Sequence, residues 1–176
     1  MISLDTILFF VGQSLGALTV LLGIVNYQMK TREQVLFVHI LTTLAFVLHY
    51  FCLGAWAGMA MNFIGFVRNI MFYRLGKNGR VSRFWVVFFA AILGTSGLVA
   101  SLIMHEGWYF IFSVAGVTIN SYAMSFTNPQ HIRQSILVTS PLVLIYDLFA
   151  RSYGGTVYEF IVILSAIIGI VRYRKK

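Results

Sequence analysis

The sequence has little charge, one cysteine and two prolines. Charged residues make up 10% of the 176 residues, whereas a soluble domain has roughly 25%. The single cysteine, Cys52, excludes an internal disulfide framework. Hydrophobic residues make up 59% of the chain, so these shortages exclude a soluble domain and predict an all-α, polytopic membrane protein.

Seven apolar runs are each long enough to span a hydrocarbon core that is roughly 30 Å thick. They predict helices over Thr6–Tyr27, Gln34–Leu53, Trp56–Tyr73, Phe84–Met104, Trp108–Phe126, Gln134–Ala150 and Thr156–Val171. The runs use nearly the whole chain, which predicts a single transmembrane domain over residues 1–176. The first run follows Asp5 and lacks a small-residue cleavage site, so we interpret it as a retained helix and not a signal peptide.

The basic residues separate by side if the chain crosses the membrane at each run. One face then carries eleven of them: Lys30, Arg32, Arg74, Lys77, Arg80, Arg83, Arg133, Arg172, Arg174, Lys175 and Lys176. The other face carries Asp5, Glu106, Asp147 and Arg151. The positive-inside rule therefore predicts an amino terminus outside and a carboxyl terminus in the cytoplasm. Topology explains the net charge of +8, so we expect anionic lipid headgroups as partners, and no nucleic acid.

A repeat with an offset of 97 residues relates the two ends of the chain. Helix 3 carries a small and polar stripe at helical spacing, made of Gly58, Asn62, Gly65 and Asn69. The offset places Gly155 on Gly58 and Glu159 on Asn62. Other matched pairs are Thr42 with Thr139, Thr43 with Ser140, His49 with Tyr146 and Trp56 with Tyr153.

This offset predicts a three-one-three arrangement of the helices. A first triple-helix repeat over residues 6–73 and a second over residues 108–171 are joined by a linker helix over residues 84–104. Because the linker is a single helix, the two repeats run parallel and relate by an axis along the membrane normal.

Three groups of residues carry a family resemblance. They are His49 with Gly54 and Arg68, then Gly154, Gly155 and Thr156 with Glu159, and the closing Ile170, Val171 and Arg172. Over nearly its whole length the chain resembles the bacterial inner-membrane YgjV family. The arrangement is similar to that of the SWEET sugar transporters, the PQ-loop proteins and the KDEL receptor. This resemblance implies two triple-helix bundles around a central site, with substrate-facing polar residues partly on helices 3 and 7.

Glu159 and Asn62 are the leading candidates for substrate binding. A carboxylate well inside a helix meets too little water to ionise cheaply, and such residues face a cavity or a partner. Glu159 therefore binds a solute or couples protons, or it is a protonated and structurally paired acid. Asn62 either binds a polar solute or holds helix 3 against a neighbour.

The other predicted substrate-binding residues are Arg68, Asn69, His49, Tyr146 and Asn120. Arg68 either extends its guanidinium toward the cytoplasmic face or contacts a solute or a lipid headgroup. Asn69 binds a solute or lets helices approach closely. Pro141 interrupts helix 6 and forms either a hinge or a static bend.

Several classes of function do not fit the residues. All four lysines lie in predicted cytoplasmic segments, which excludes a retinal Schiff base. No serine has an obvious histidine partner for nucleophilic catalysis. His39 and His49 lie about 15 Å apart along one helix and cannot share a metal. We therefore expect no enzymatic activity, no cofactor and no metal.

The sequence favours a transporter of a small polar solute, sugar-like or amino-acid-like, in the bacterial inner membrane. Its predicted site lies between the two triple-helix repeats. The alternative is a receptor or accessory membrane protein that binds a ligand or partner without moving it. The oligomeric state stays open, a homo-oligomer included.

Overall fold

The structure is a computed structural model. It describes residues 3–54, 56–76, 80–103, 105, 107–149 and 153–174, without the side chains of residues 56, 57, 153 and 154. Several predicted features lie outside the described residues. They are the helix ends at Met104 and Ala150 and the charged residues Lys77, Glu106, Arg151, Lys175 and Lys176.

The described residues form seven α-helices and no β-strand. They are α1 (Leu4–Asn26), α2 (Arg32–Cys52), α3 (Trp56–Leu75), α4 (Arg83–Ile103), α5 (Phe110–Ala123), α6 (Pro129–Phe149) and α7 (Tyr153–Arg172). The all-helical fold is confirmed. By length and composition five of these helices can cross a membrane, namely α1, α2, α4, α6 and α7.

The helices α3 and α5 do not meet the same criteria. Helix α3 has 20 residues, but Asn62, Arg68 and Asn69 lower its hydropathy. Helix α5 has only 14 residues, which is about 21 Å of helix and less than the hydrocarbon thickness. It is shorter at both ends than the predicted span over Trp108–Phe126.

Two of the helices that begin earlier than the hydrophobic runs predict, α2 and α6, have capping residues at their start. The Thr31 side chain accepts a hydrogen bond from the Gln34 backbone and completes a capping box, so α2 begins at Arg32. Asn128 accepts a bond from the Gln130 backbone at 2.9 Å, and α6 begins at Pro129, a residue suited to the first turn. The prediction that Arg32 and Arg133 lie in connections is therefore wrong.

The seven helices pack as a ring in chain order. Each of α1, α2 and α3 packs against its neighbour, and so do α4, α5, α6 and α7. Smaller contacts between α3 and α4 and between α1 and α7 close the ring. Helix α4 packs more extensively against α5 than against α3, so the predicted linker helix lies with the second half of the chain.

Helix ends recur at the offset of 97 residues. The carboxyl ends of α1 and α5 are 97 residues apart, and so are the starts of α2 and α6 and the carboxyl ends of α3 and α7. These coincidences support the repeat hypothesis, while the three-one-three arrangement stays a prediction. We call α1 to α3 the first half and α5 to α7 the second half.

Packing contacts recur at the same offset. A Cβ added at Gly58 would lie 3.1 Å from the Tyr50 ring, and one added at Gly155 would lie 2.6 Å from the Asp147 carboxylate. Tyr50 and Asp147 are themselves 97 residues apart. The two halves therefore bring corresponding positions of adjacent helices together.

One side of the ring is tightly packed. We call it the basic face, the side where α1, α3, α5 and α7 end and α2, α4 and α6 begin. The Tyr173 hydroxyl donates to the Gln28 carbonyl at 2.8 Å, which joins the end of α7 to the end of α1. The apolar core behind this face draws buried side chains from α2, α3, α4, α6 and α7, from the residues just beyond α1 and α5 and from the connection before α4, among them Leu36, Phe72, Met124, Ile132 and Ala166.

Candidate functional site

Arg32 connects three helices at the basic face. Its side chain is 4% exposed. Nε donates to the Phe126 carbonyl just beyond α5 at 2.9 Å, and Nη2 donates to the Phe72 carbonyl near the end of α3 at 3.0 Å. Carbonyl groups at helix ends lack partners within their own helix, so the guanidinium satisfies one such group in each half.

Arg133 makes the reciprocal connection from the second half to the first. Its Nε donates to the Tyr27 carbonyl at 2.8 Å, and Nη2 donates to the Met29 carbonyl. Met29 and Phe126 are 97 residues apart, so each half offers the same backbone carbonyl to an arginine of the other. We call Arg32 and Arg133 the inter-half arginines, because they join the two halves at the basic face.

A buried polar cluster occupies the first half. The Arg68 guanidinium, 3% exposed, donates through Nε and Nη2 to the Asn69 side-chain oxygen at 3.2 and 2.9 Å. Asn69 donates to the Thr43 hydroxyl at 3.4 Å. The side chains of Asn26 and His39 form a further bond at 3.1 Å. The guanidinium is buried between the helices and does not extend to the basic face.

Glu159 is half-buried on α7. Its carboxyl group lies beside the hydroxyl group of Ser140 on α6. Asp147, also on α6, interacts electrostatically with this carboxyl group. The phenol groups of Tyr27 and Tyr158 are within electrostatic range of Glu159. Among the described residues no lysine or arginine forms an ion pair with this carboxyl group.

Asn62 is half-buried at the equivalent position of α3. Its amide donates to the Gly58 carbonyl, one turn back in the same helix, at 2.9 Å. In the described part of the chain, no hydrogen bond joins Asn62 to Glu159. Both residues lie 13 positions before the end of their helix, about 20 Å from the basic face.

Three of the remaining predicted site residues, His49, Tyr146 and Pro141, lie in different environments. His49 Nδ1 bonds the Gly12 carbonyl at 2.7 Å, which ties α2 to α1. The Tyr146 ring lies 5.9 Å from the Tyr109 ring, which ties α6 to α5. Pro141 lies inside the continuous helix α6 and gives the Leu137 carbonyl no N–H partner.

Unsatisfied polar atoms mark the interior of the described structure. Five buried side-chain atoms there have no hydrogen-bond partner: Asn26 Oδ1, Gln28 Oε1, Arg32 Nη1, Asn120 Oδ1 and Ser121 Oγ. Buried polar atoms are normally paired with protein groups or ordered water. Asn120 is thus the one predicted site residue with a buried acceptor atom that lacks a partner among the described residues.

The site residues therefore form two groups and not one. Arg68 and Asn69 belong to the closed polar cluster, while Glu159 and Asn62 lie nearer the opposite side on separate helices. Sequence reasoning missed the inter-half arginines. The capping box at Thr31 and the Asn128–Pro129 pair are signals that place both arginines inside helices.

Comparisons with known proteins give the family. A family model for Imp-YgjV, described as a bacterial inner membrane protein, matches residues 10–176. No curated protein and no solved structure matches the chain, so the likeness to SWEET and PQ-loop proteins stays a prediction. Because the family model covers nearly the whole sequence, the chain belongs to the Imp-YgjV family of bacterial inner membrane proteins.

Proposed function

We propose that the protein transports a small polar solute, sugar-like or amino-acid-like, across the bacterial inner membrane. The observation that carries the proposal is the matched pair Asn62 and Glu159, half-buried at equivalent depths of α3 and α7. An acidic side chain inside a membrane-spanning helix is costly and usually faces a partner, a cavity or a transported solute. The role involves no chemical reaction.

The two sides of the proposed site differ. The basic face is closed by the apolar core and by the inter-half arginines. By the positive-inside rule we place this face in the cytoplasm and the amino terminus outside. Asn62 and Glu159 then lie toward the outside, and release to the cytoplasm requires the bonds of Arg32 and Arg133 to break.

The remaining predicted residues take supporting roles in this proposal. His49, Tyr146 and Asn120 line the solute path, Arg68 and Asn69 form its inner limit, and Pro141 is the hinge of α6. A solute that reaches Asn120 finds an acceptor oxygen with no protein partner among the described residues.

The test is counterflow in proteoliposomes. Single sugars and amino acids are first screened for raising the melting temperature of the purified protein, and the stabilising compound is then used as the labelled solute. We expect saturable counterflow in the wild type. Glu159→Gln and Asn62→Ala should each lower it about tenfold, as expected for one lost hydrogen bond to the solute.

Gln134→Ala is the matched control, because Gln134 is an exposed polar residue on α6. Its counterflow should equal that of the wild type. If Glu159→Gln and Asn62→Ala also transport at the wild-type rate, with equal amounts of protein, the site assignment is wrong.

Proton coupling is a separate question for Glu159. If this carboxyl group exchanges a proton during transport, the wild-type rate depends on pH and the Glu159→Gln rate does not. A rate independent of pH in the wild type would limit Glu159 to contact with the solute.

One observation favours a receptor or accessory protein as the second candidate. Two apolar grooves lie along α4, away from Asn62 and Glu159. A receptor would bind the stabilising compound and show no counterflow.

A further inference from the structure

A shallow apolar groove runs along the outer surface of α4. Its part between α4 and α5 has a volume of about 430 Å³, and it is lined mainly by small and branched side chains. A second part of about 450 Å³ continues along α4 to Arg83 and shares Val87 and Ala91 with the first. From Arg83 to Leu98 the groove is about 22 Å long at the helical rise.

Gly94 shapes the groove floor. A Cβ added at Gly94 would lie 2.8 Å from the Thr118 hydroxyl, so the glycine lets α4 and α5 approach closely. On both sides of this floor the side chains are open: Val87 is 65% exposed and Leu98 is 40% exposed. Since α4 has the highest hydropathy of the five spanning helices, this surface lies in the hydrocarbon region and acyl chains cover it.

The basic-face end of the groove carries positive charge. Arg83 is the first residue of α4 and lines the groove, and its side chain is exposed. Arg80 is exposed in the connection just before it, and the first turn of α4 has no acidic residue. A guanidinium group binds a phosphate through two parallel bonds, and two exposed arginines with no acidic residue in the first turn of α4 favour a lipid headgroup with a net negative charge.

We propose that this groove binds one anionic phospholipid from the leaflet next to the basic face. The phosphate contacts Arg83, and one acyl chain lies over Val87 and Ala91 toward Leu98. The groove extends past the middle of a hydrocarbon core roughly 30 Å thick, so it holds an acyl chain over its full depth in one leaflet. The site does not depend on the proposed transport.

The test is native mass spectrometry of the purified full chain in mild detergent, with equal amounts of phosphatidylglycerol and phosphatidylethanolamine added. The wild type should retain one phosphatidylglycerol in preference to phosphatidylethanolamine. Arg83→Gln should lower that preference about fivefold, the equivalent of about 1 kcal/mol for one basic side chain at the headgroup level. Ala91→Phe fills the groove and should remove retention of both lipids.

Two matched variants are the controls. Arg74 is an exposed arginine at the end of α3 and Ala60 is an exposed alanine on the same helix, and neither lines the groove. Arg74→Gln and Ala60→Phe should both retain lipid like the wild type. Arg83→Gln decides the question even if Ala91→Phe does not fold.

Three results would overturn the proposal. The first is an Arg83→Gln variant that keeps the wild-type preference for phosphatidylglycerol. The second is folded Ala91→Phe protein that retains lipid like the wild type. The third is a lipid-free dimer that Ala91→Phe dissociates, because a second copy of the chain would then occupy the groove.

Discussion

The first and second halves of the molecule have matching helix ends and different polar interiors. In the first half, Arg68 and Asn69 belong to a buried hydrogen-bonded cluster. The equivalent residues of the second half are Ser165 and Ala166, and this half carries the half-buried acid Glu159 beside Ser140. The two halves therefore share helix ends and packing contacts at the offset, while their buried polar positions differ.

The basic face is where the halves are most alike. Each half contributes one buried arginine that donates to a backbone carbonyl of the other. A guanidinium can serve two or three carbonyl groups at once because its donors are fixed in one plane. This reciprocal bonding joins the halves at one end and leaves the opposite end free to differ.

The largest loss of stability is expected from a substitution of Arg133, which removes one of the two reciprocal connections between the halves. Arg133→Ala removes the donors to the Tyr27 and Met29 carbonyls and should lower the free energy of unfolding by about 3 kcal/mol, as for buried bonds to a charged group. Arg133→Lys should recover only part of this loss, because an ammonium group lacks the planar fork. Equilibrium unfolding in mixed micelles measures both.

Arg174 is an exposed arginine on the same face, and Arg174→Ala is the control. An equal loss of stability in Arg174→Ala and Arg133→Ala would show that charge, and not the connection between the halves, stabilises this face.

The second prediction replaces Asn69 of the first half with alanine, the residue at the equivalent position of the second half. Asn69→Ala introduces the residue found at Ala166 and leaves the buried Arg68 without its acceptor, so we expect a loss of about 2 kcal/mol. Adding Arg68→Ser, as at Ser165, should restore part of the stability because no buried charge then lacks a partner. Additive losses in the double variant would contradict this dependence.

The smallest effect concerns the equivalent hydroxyls Thr43 and Ser140. Thr43 accepts from Asn69 and Ser140 lies beside Glu159. Thr43→Val and Ser140→Ala should each cost about 0.6 kcal/mol, the usual value for a hydrogen bond between membrane helices. Melting temperatures of the two variants should therefore be similar, and a fall of more than ten degrees in either would show a larger structural role.

Hydrophobic periodicity and length predict much of the fold. Seven runs give seven helices, and matched pairs such as Gly58 with Gly155 give the offset that the helix ends share. The starts of α2 and α6 were missed because Arg32, Gln130 and Arg133 make those turns look like polar connections. Local capping residues, and not hydropathy, determine where these helices begin.

The contacts of the candidate site depend on tertiary packing. The acceptors of Arg133 lie more than 100 residues earlier in the chain, and a single sequence gives no sign of such a pairing. Glu159 could be identified because a carboxylate in an apolar helix is unusual. The sequence does not identify Ser140 as the neighbour of Glu159, because this contact depends on how α6 and α7 pack.

The most direct test of the matched pair is thiol labelling in intact cells. Asn62→Cys and Glu159→Cys are made separately with Cys52→Ser, so that each protein has one cysteine. Both positions should react with a membrane-impermeant maleimide added from outside, and a cysteine at buried Leu36 should not. Labelling of either position only from the cytoplasmic side, or of neither from any side, would contradict a matched polar pair that opens away from the basic face.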